Sequence, residues 1–192
     1  MKKAGALALA VGILVLAGCS SARRPAALDS KAGPGAGIEI LDAPAAEALL
    51  DHLVGKWVLR GTIDGKETTH DIDAERILNR EYVRLHEVSR DRMADGTPAC
   101  EAIVLIGWSQ RSRDFSCLWL DSTSGGGLSA NTIIGHAKPS RDTIPFVFKF
   151  AGGNSFHTTF IYATTTGTWQ LMMDDEEGGK VQPFARARLT KS

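Results

Sequence analysis

The stretch Thr143-Ile144-Pro145-Phe146-Val147-Phe148-Lys149-Phe150 decides the fold class. In an extended chain successive side chains point to opposite faces. Ile144, Phe146, Phe148 and Phe150 therefore share one face, against Pro145, Val147 and Lys149 on the other. A period of two with one apolar face reads as a half-buried strand. The same alternation sets Phe156, Phe160 and Tyr162 against His157 and Thr159, and Trp57, Leu59 and Ile63 against Lys56, Val58 and Arg60.

Working outward, strands are expected at roughly 55–63, 67–77, 80–90, 99–108, 114–121, 128–137, 143–150, 155–163, 167–174 and 182–189. Asp64-Gly65, Asp95-Gly96, Gly125-Gly126-Gly127, Gly152-Gly153-Asn154 and Gly178-Gly179 punctuate them as turns. A single helical stripe precedes them. Asp42 caps it, Pro44 suits its first turn, and Ala46, Leu49, Leu50 and Leu53 fall at i, i+3, i+4 and i+7. One short helix followed by about ten strands with short connections predicts an all-β, antiparallel fold. With Trp108 opposite Phe115, a hairpin of 99–108 and 114–121 gathers Val104, Ile106, Trp108, Phe115, Cys117 and Trp119 on one face. This apolar surface exceeds what a flat two-layer core needs, and a closed barrel absorbs it without exposed edges.

The segment Leu53-Val54-Gly55-Lys56-Trp57, a Gly-x-Trp after a short helix, resembles the lipocalin and broader calycin signature. The wider layout adds Ala74 to Tyr82, Ile106-Gly107-Trp108, Phe115, Trp119 to Ser122, and Gly135. Across most of 45–189 it is similar to an uncharacterised family of bacterial lipocalin-like domains, many secreted or lipid-anchored. The resemblance implies a barrel whose end is closed at Gly55 and Trp57, with Arg186 or Arg188 packed across the indole. It carries no established activity. Nitrobindins, which bind haem, have a related outline, but Leu59 stands at one of their glycine positions and no Tyr-Pro follows. A late-strand ligand for haem would be His157, which alternation places outside the barrel.

The beginning of the chain reads differently. Lys2 and Lys3 precede an uncharged run of 14 residues, Ala4 to Ala17. As a helix this run spans about 21 Å, short of a hydrocarbon core of about 30 Å, so a signal peptide is the better reading. It ends Leu16-Ala17-Gly18-Cys19, which resembles the bacterial lipobox. The resemblance implies cleavage before Cys19 and lipidation of that residue. Ser20 in place of an aspartate implies the outer membrane, facing the periplasm. The expected organisation is a signal peptide over 1–18, a lipidated cysteine and Gly/Pro/Ala-rich tether over 19–43, and a lipocalin-like barrel over 44–190.

Composition (43% hydrophobic, 23% charged) describes a soluble globular domain. Formal charge is zero, and removal of Lys2 and Lys3 leaves the mature chain slightly acidic, with no basic footprint for nucleic acid. Catalytic motifs are lacking: Ser129 and Ser155 stand near His136 and His157, but no Gly-x-Ser-x-Gly elbow occurs. The five histidines are isolated, and His70-Asp71-Ile72-Asp73 reads as a solvated strand. Asp174-Asp175-Glu176-Glu177-Gly178-Gly179 reads as a solvated hairpin turn rather than a calcium loop. Cys117 pairs near Ile106 in the hairpin register, about 20 Å from Cys100, too far for a disulfide. Tyr82, Arg84 and His86 share one face of their strand, and parity alone leaves open which face is inside.

These readings predict a membrane-anchored, non-enzymatic lipoprotein without a cofactor. Its barrel holds a small hydrophobic or amphipathic ligand, lined by Trp57, Trp108, Phe115, Trp119, Phe146, Phe148 and Trp169. The alternatives are a structural or interaction lipoprotein with a filled barrel and, third, a haem protein.

Overall fold

The computed structural model describes residues 42–123, 128, 132–138 and 140–192. The expected leader (1–18), Cys19, nearly all of the tether and the glycine run at 125–127 lie outside the described residues. The rest is the expected all-β fold, a closed antiparallel barrel of ten strands behind one short helix. The helix α1 spans Ala43–Asp51. Asp42 caps it by accepting the Ala45 N–H at 3.0 Å, and Ala46, Leu49 and Leu50 are its buried stripe.

The strands are β1 (Gly55–Ile63), β2 (Lys66–Ile77), β3 (Tyr82–Ser89), β4 (Glu101–Ser109), β5 (Asp114–Asp121), β6 (Gly135–Ala137), β7 (Thr143–Lys149), β8 (Ser155–Ala163), β9 (Thr168–Glu177) and β10 (Lys180–Lys191). Each pairs with its neighbour in sequence, and β1 pairs with β10 to close the ring. Two hairpins turn on residues with positive φ, Asp64-Gly65 (48° and 72°) and Gly178-Gly179 (57° and 77°), as tight two-residue turns between right-twisted strands require. Trp108 does face Phe115, and Ile106 faces Cys117. β6 is much shorter than expected, and part of the preceding segment is outside the described residues.

Parity sorts the side chains as alternation predicts. Tyr82, Arg84 and His86 lie on the outer face of β3, while Val83, Leu85 and Glu87 are buried inside. The acidic run departs from its expected form. It is the end of β9 and not a loop, with Asp174 paired to Arg186 and Glu176 to His157 on the outer wall.

The barrel is closed at one end by α1. Trp57 and Trp169 donate their indole N–H groups to the carbonyls of Leu53 (2.7 Å) and His52 (3.2 Å). Those carbonyls follow the helix C-terminus, where backbone acceptors lack helical partners. Arg76, buried on the inner side of β2, holds the helix from the other direction through Glu47 Oε2 and Asp51 Oδ1, both at 2.8 Å.

The cation over Trp57 corrects one expectation. It is Lys191, whose Nζ stands 3.7 Å from the ring centroid and donates to the Val54 carbonyl at 2.8 Å. Burial pushes the Lys191 ammonium pKa down, and the π face and the carbonyl offset part of that desolvation. Arg186 and Arg188 cannot take this place. They alternate with Ala185, Ala187 and Leu189 and so point outward, Arg186 to Asp174 and Arg188 into solvent. Gly55 also becomes intelligible. Its φ of 130° disfavours a side chain, and a Cβ there would come within 2.4 Å of Lys191 Nζ.

Candidate ligand-binding cavity

The interior is divided by height. Next to α1 it is packed solid: Trp57, Phe115, Phe146, Phe160 and Trp169 are essentially inaccessible. Trp108 meets Phe115 edge-to-face at 5.0 Å. At the opposite end, between the β1–β2, β3–β4, β7–β8 and β9–β10 connections, lies an open cavity of about 780 Å³. That volume falls within the range of about 300–1,000 Å³ usual for small-molecule sites.

Of the seven aromatic residues expected to line a ligand, Trp119 and Phe148 border this cavity. Trp57, Trp108, Phe115, Phe146 and Trp169 do not, because they fill the closed half as core. Parity identifies the inner face but carries no information on height along the barrel axis, and height separates core from wall here. The lining that sequence reading missed includes Phe156 and Phe184, which meet edge-to-face at 5.4 Å at the mouth. Phe184 breaks the parity of β10. A bulge between Pro183 and Ala185 shifts the register there, as expected where an extra residue re-aims a side chain.

The floor of the cavity carries a polar group that the solvated-strand reading of 70–73 overlooked. Asp71 and Asp73 are outside as expected, paired with Arg90 and Lys56. His70 is inside and 3% exposed, and Glu87 on β3 is 6% exposed. His70 Nδ1 is hydrogen-bonded to Glu87 Oε1, and His70 Nε2 meets Thr68 Oγ1 at 2.8 Å. With a neutral imidazole, Thr68 donates to Nε2 and Nδ1–H donates to the carboxylate. Burying these groups is tolerable because each finds a partner. Thr158, 1% exposed, adds a hydroxyl to the same lining. The signal was present in the alternation, since His70 shares parity with Ile72 and Ala74, and Glu87 with Val83 and Leu85. Only the register, with His70 opposite Ser89 and Ile72 opposite Glu87, makes the two diagonal neighbours.

This group is a hydrogen-bonded relay facing a cavity, suited to holding a polar head or a proton. It is poorly suited to haem, because both ring nitrogens of His70 are engaged and His157 lies on the outer wall with Glu176. Among the described residues, no three His, Cys, Asp or Glu side chains are grouped to hold a metal.

Both barrel cysteines are free. Cys117 is buried among the core side chains, and Cys100 lines the cavity. Burial, reinforced by the carboxylates of Glu87 and Asp121, pushes the Cys100 thiol up to about 11. Thiolate is the reactive form, so at pH 8 alkylation of Cys100 is expected to run about 100-fold slower than at an ordinary exposed cysteine. Peptide-resolved mass spectrometry of iodoacetamide-treated protein measures this. Labelling of Cys100 at the ordinary rate would contradict the half-buried, acid-flanked setting of this thiol.

No protein-family model matches this chain, and no curated protein matches it. What stands is the architecture, a closed antiparallel lipocalin-like barrel, plugged at one end and open to an apolar cavity at the other.

Proposed function

We propose that this chain is a membrane-anchored bacterial lipoprotein, lipidated at Cys19 and facing the periplasm from the outer membrane. It binds a small hydrophobic or amphipathic ligand and carries out no chemistry on it. The observation that supports the binding part is the open cavity of about 780 Å³, walled by Trp119, Phe148, Phe156 and Phe184 above a buried polar floor. A barrel serving only as a docking body has no use for an open interior, and filling it with side chains would add stability. The cavity therefore favours the binding reading over the structural one. Support for the anchor is the Leu16-Ala17-Gly18-Cys19 motif behind an apolar run.

The test uses a residue that shapes the cavity without lining it through its own side chain. Gly135 lies under the ring of Phe148, and a Cβ there would come within 2.6 Å of the ring. Gly135→Ala must push Phe148 into the cavity. Wild-type protein is expected to bind one N-phenylnaphthylamine per barrel, and Gly135→Ala to weaken binding roughly tenfold. A wild-type protein that binds neither this dye nor a lipid sinks the binding reading. Intact mass of protein purified from its envelope tests the anchor separately: the chain should begin at an acylated Cys19, and Cys19→Ser should abolish the added mass.

A further inference from the structure

The cavity carries a sign as well as a shape. Glu87 is a carboxylate in the wall of an apolar chamber, and His70 is its partner among the described residues. A carboxylate has about four acceptor positions; His70 uses one, and Glu87 itself lines the cavity. Toward the mouth the lining adds the acids Asp64, Glu67, Asp91 and Asp121 and, as the one lysine among the described residues, Lys66. Among the described residues, no arginine lines it. Arg90, at the end of β3, is turned outward and holds Asp71 through two bonds of 2.9 and 2.7 Å.

Resting on the small-ligand reading above, we infer that the barrel selects amphiphiles with a cationic, hydrogen-bond-donating head, which Glu87 receives at the cavity floor while the apolar chain lies against Phe148, Phe156 and Phe184. Three physical terms point the same way. Hydrocarbon alone would strip water from the Glu87 carboxylate and return no hydrogen bond, which is costly. An anionic head would add repulsion between like charges in a medium that screens poorly. An ammonium head supplies donors to the free lone pairs as a charge-assisted bond, the strong kind. The acids nearer the mouth favour the approach of such a cation, and the ring faces there can accept it in passing.

The experiment is calorimetric titration of the purified full-length chain with decylammonium, decanol and decanoate, which share a chain and differ in the head. Wild-type protein is expected to bind decylammonium about ten- to a hundredfold more tightly than decanol, the worth of one hydrogen bond to a charged group. Decanoate should bind weakest. Glu87→Gln should bring decylammonium to within about threefold of decanol, and a wild-type circular dichroism spectrum together with measurable decanol binding shows that the variant is folded. Equal binding of all three probes, or a preference for decanoate, overturns the head-group inference and leaves ligand binding standing. A preference that survives in Glu87→Gln overturns it as well. Failure of all three probes to bind is the failure of the small-ligand reading itself.

Discussion

Trp57→Ala is expected to lower the unfolding free energy by about 3–5 kcal/mol, the usual cost of removing a buried large aromatic side chain. Three losses coincide. The ring is 1% exposed, so its removal opens a void in the packed half. The Leu53 carbonyl loses its indole donor, held at 2.7 Å. Lys191 loses the face over which its ammonium sits at 3.7 Å. Trp57→Phe separates these terms, because it keeps an aromatic face and most of the volume and gives up the N–H. Its packing loss is small, and the lost hydrogen bond is expected to cost about 1–2 kcal/mol. Urea denaturation followed by circular dichroism measures both variants. A loss below about 1 kcal/mol in Trp57→Ala, the size of an average substitution, would mean that Trp57 does not hold the closed end.

Arg76→Ala is expected to release the helical plug. The guanidinium is buried, bonds Glu47 and Asp51 at 2.8 Å each, and also donates to the backbone carbonyls of Glu47 (2.9 Å) and Arg80 (3.0 Å). Breaking a fully buried ion pair costs about 3–5 kcal/mol, but Glu47 and Asp51 are partly exposed and rehydrate, so about 2–3 kcal/mol is expected. The effect should be local. Amide exchange of Leu49 and Leu50 in α1 should accelerate strongly, while that of Phe115 and Cys117 in β5 should hardly change. Arg76→Lys should recover only part of the loss, because a single ammonium cannot reproduce the planar fork that reaches two carboxylates and two carbonyls. Uniform acceleration across the barrel would show instead that Arg76 supports the whole fold and not the plug.

How much of this was readable depends on which dimension a residue expresses. Alternation is local, so the strands, the inner faces and the Trp108–Phe115 register followed from the chain itself. The capping of α1 by Asp42 was equally local. Height along the barrel axis is set by the stagger of all ten strands together, and no segment carries it alone. For that reason Phe146 and Phe148, two residues apart on one face, end in different roles: Phe146 is sealed in the core and Phe148 borders the cavity. The His70–Glu87 pair belongs to the same category, since each half looks unremarked until β2 and β3 are aligned. The arginine expected over Trp57 failed for a simpler reason. The resemblance supplied a cation from the last strand, and in this chain the inner parity of that strand runs through Leu189 to Lys191, while Arg186 and Arg188 take the outer one.

The seam between β1 and β10 has a mechanical consequence. The described chain enters at Asp42 beside the plugged end, and it finishes there too, with the Ser192 N–H bonded to the Lys56 carbonyl at 3.1 Å. Pulling the two termini apart would therefore open the seam like a zipper, from Trp57 and Lys191 onward, breaking its pairs one after another instead of all at once. Under the anchoring proposed at Cys19, load would enter instead through the α1–β1 junction, where the helix is fastened by Arg76, Trp57 and Trp169, at the end of the barrel opposite the cavity.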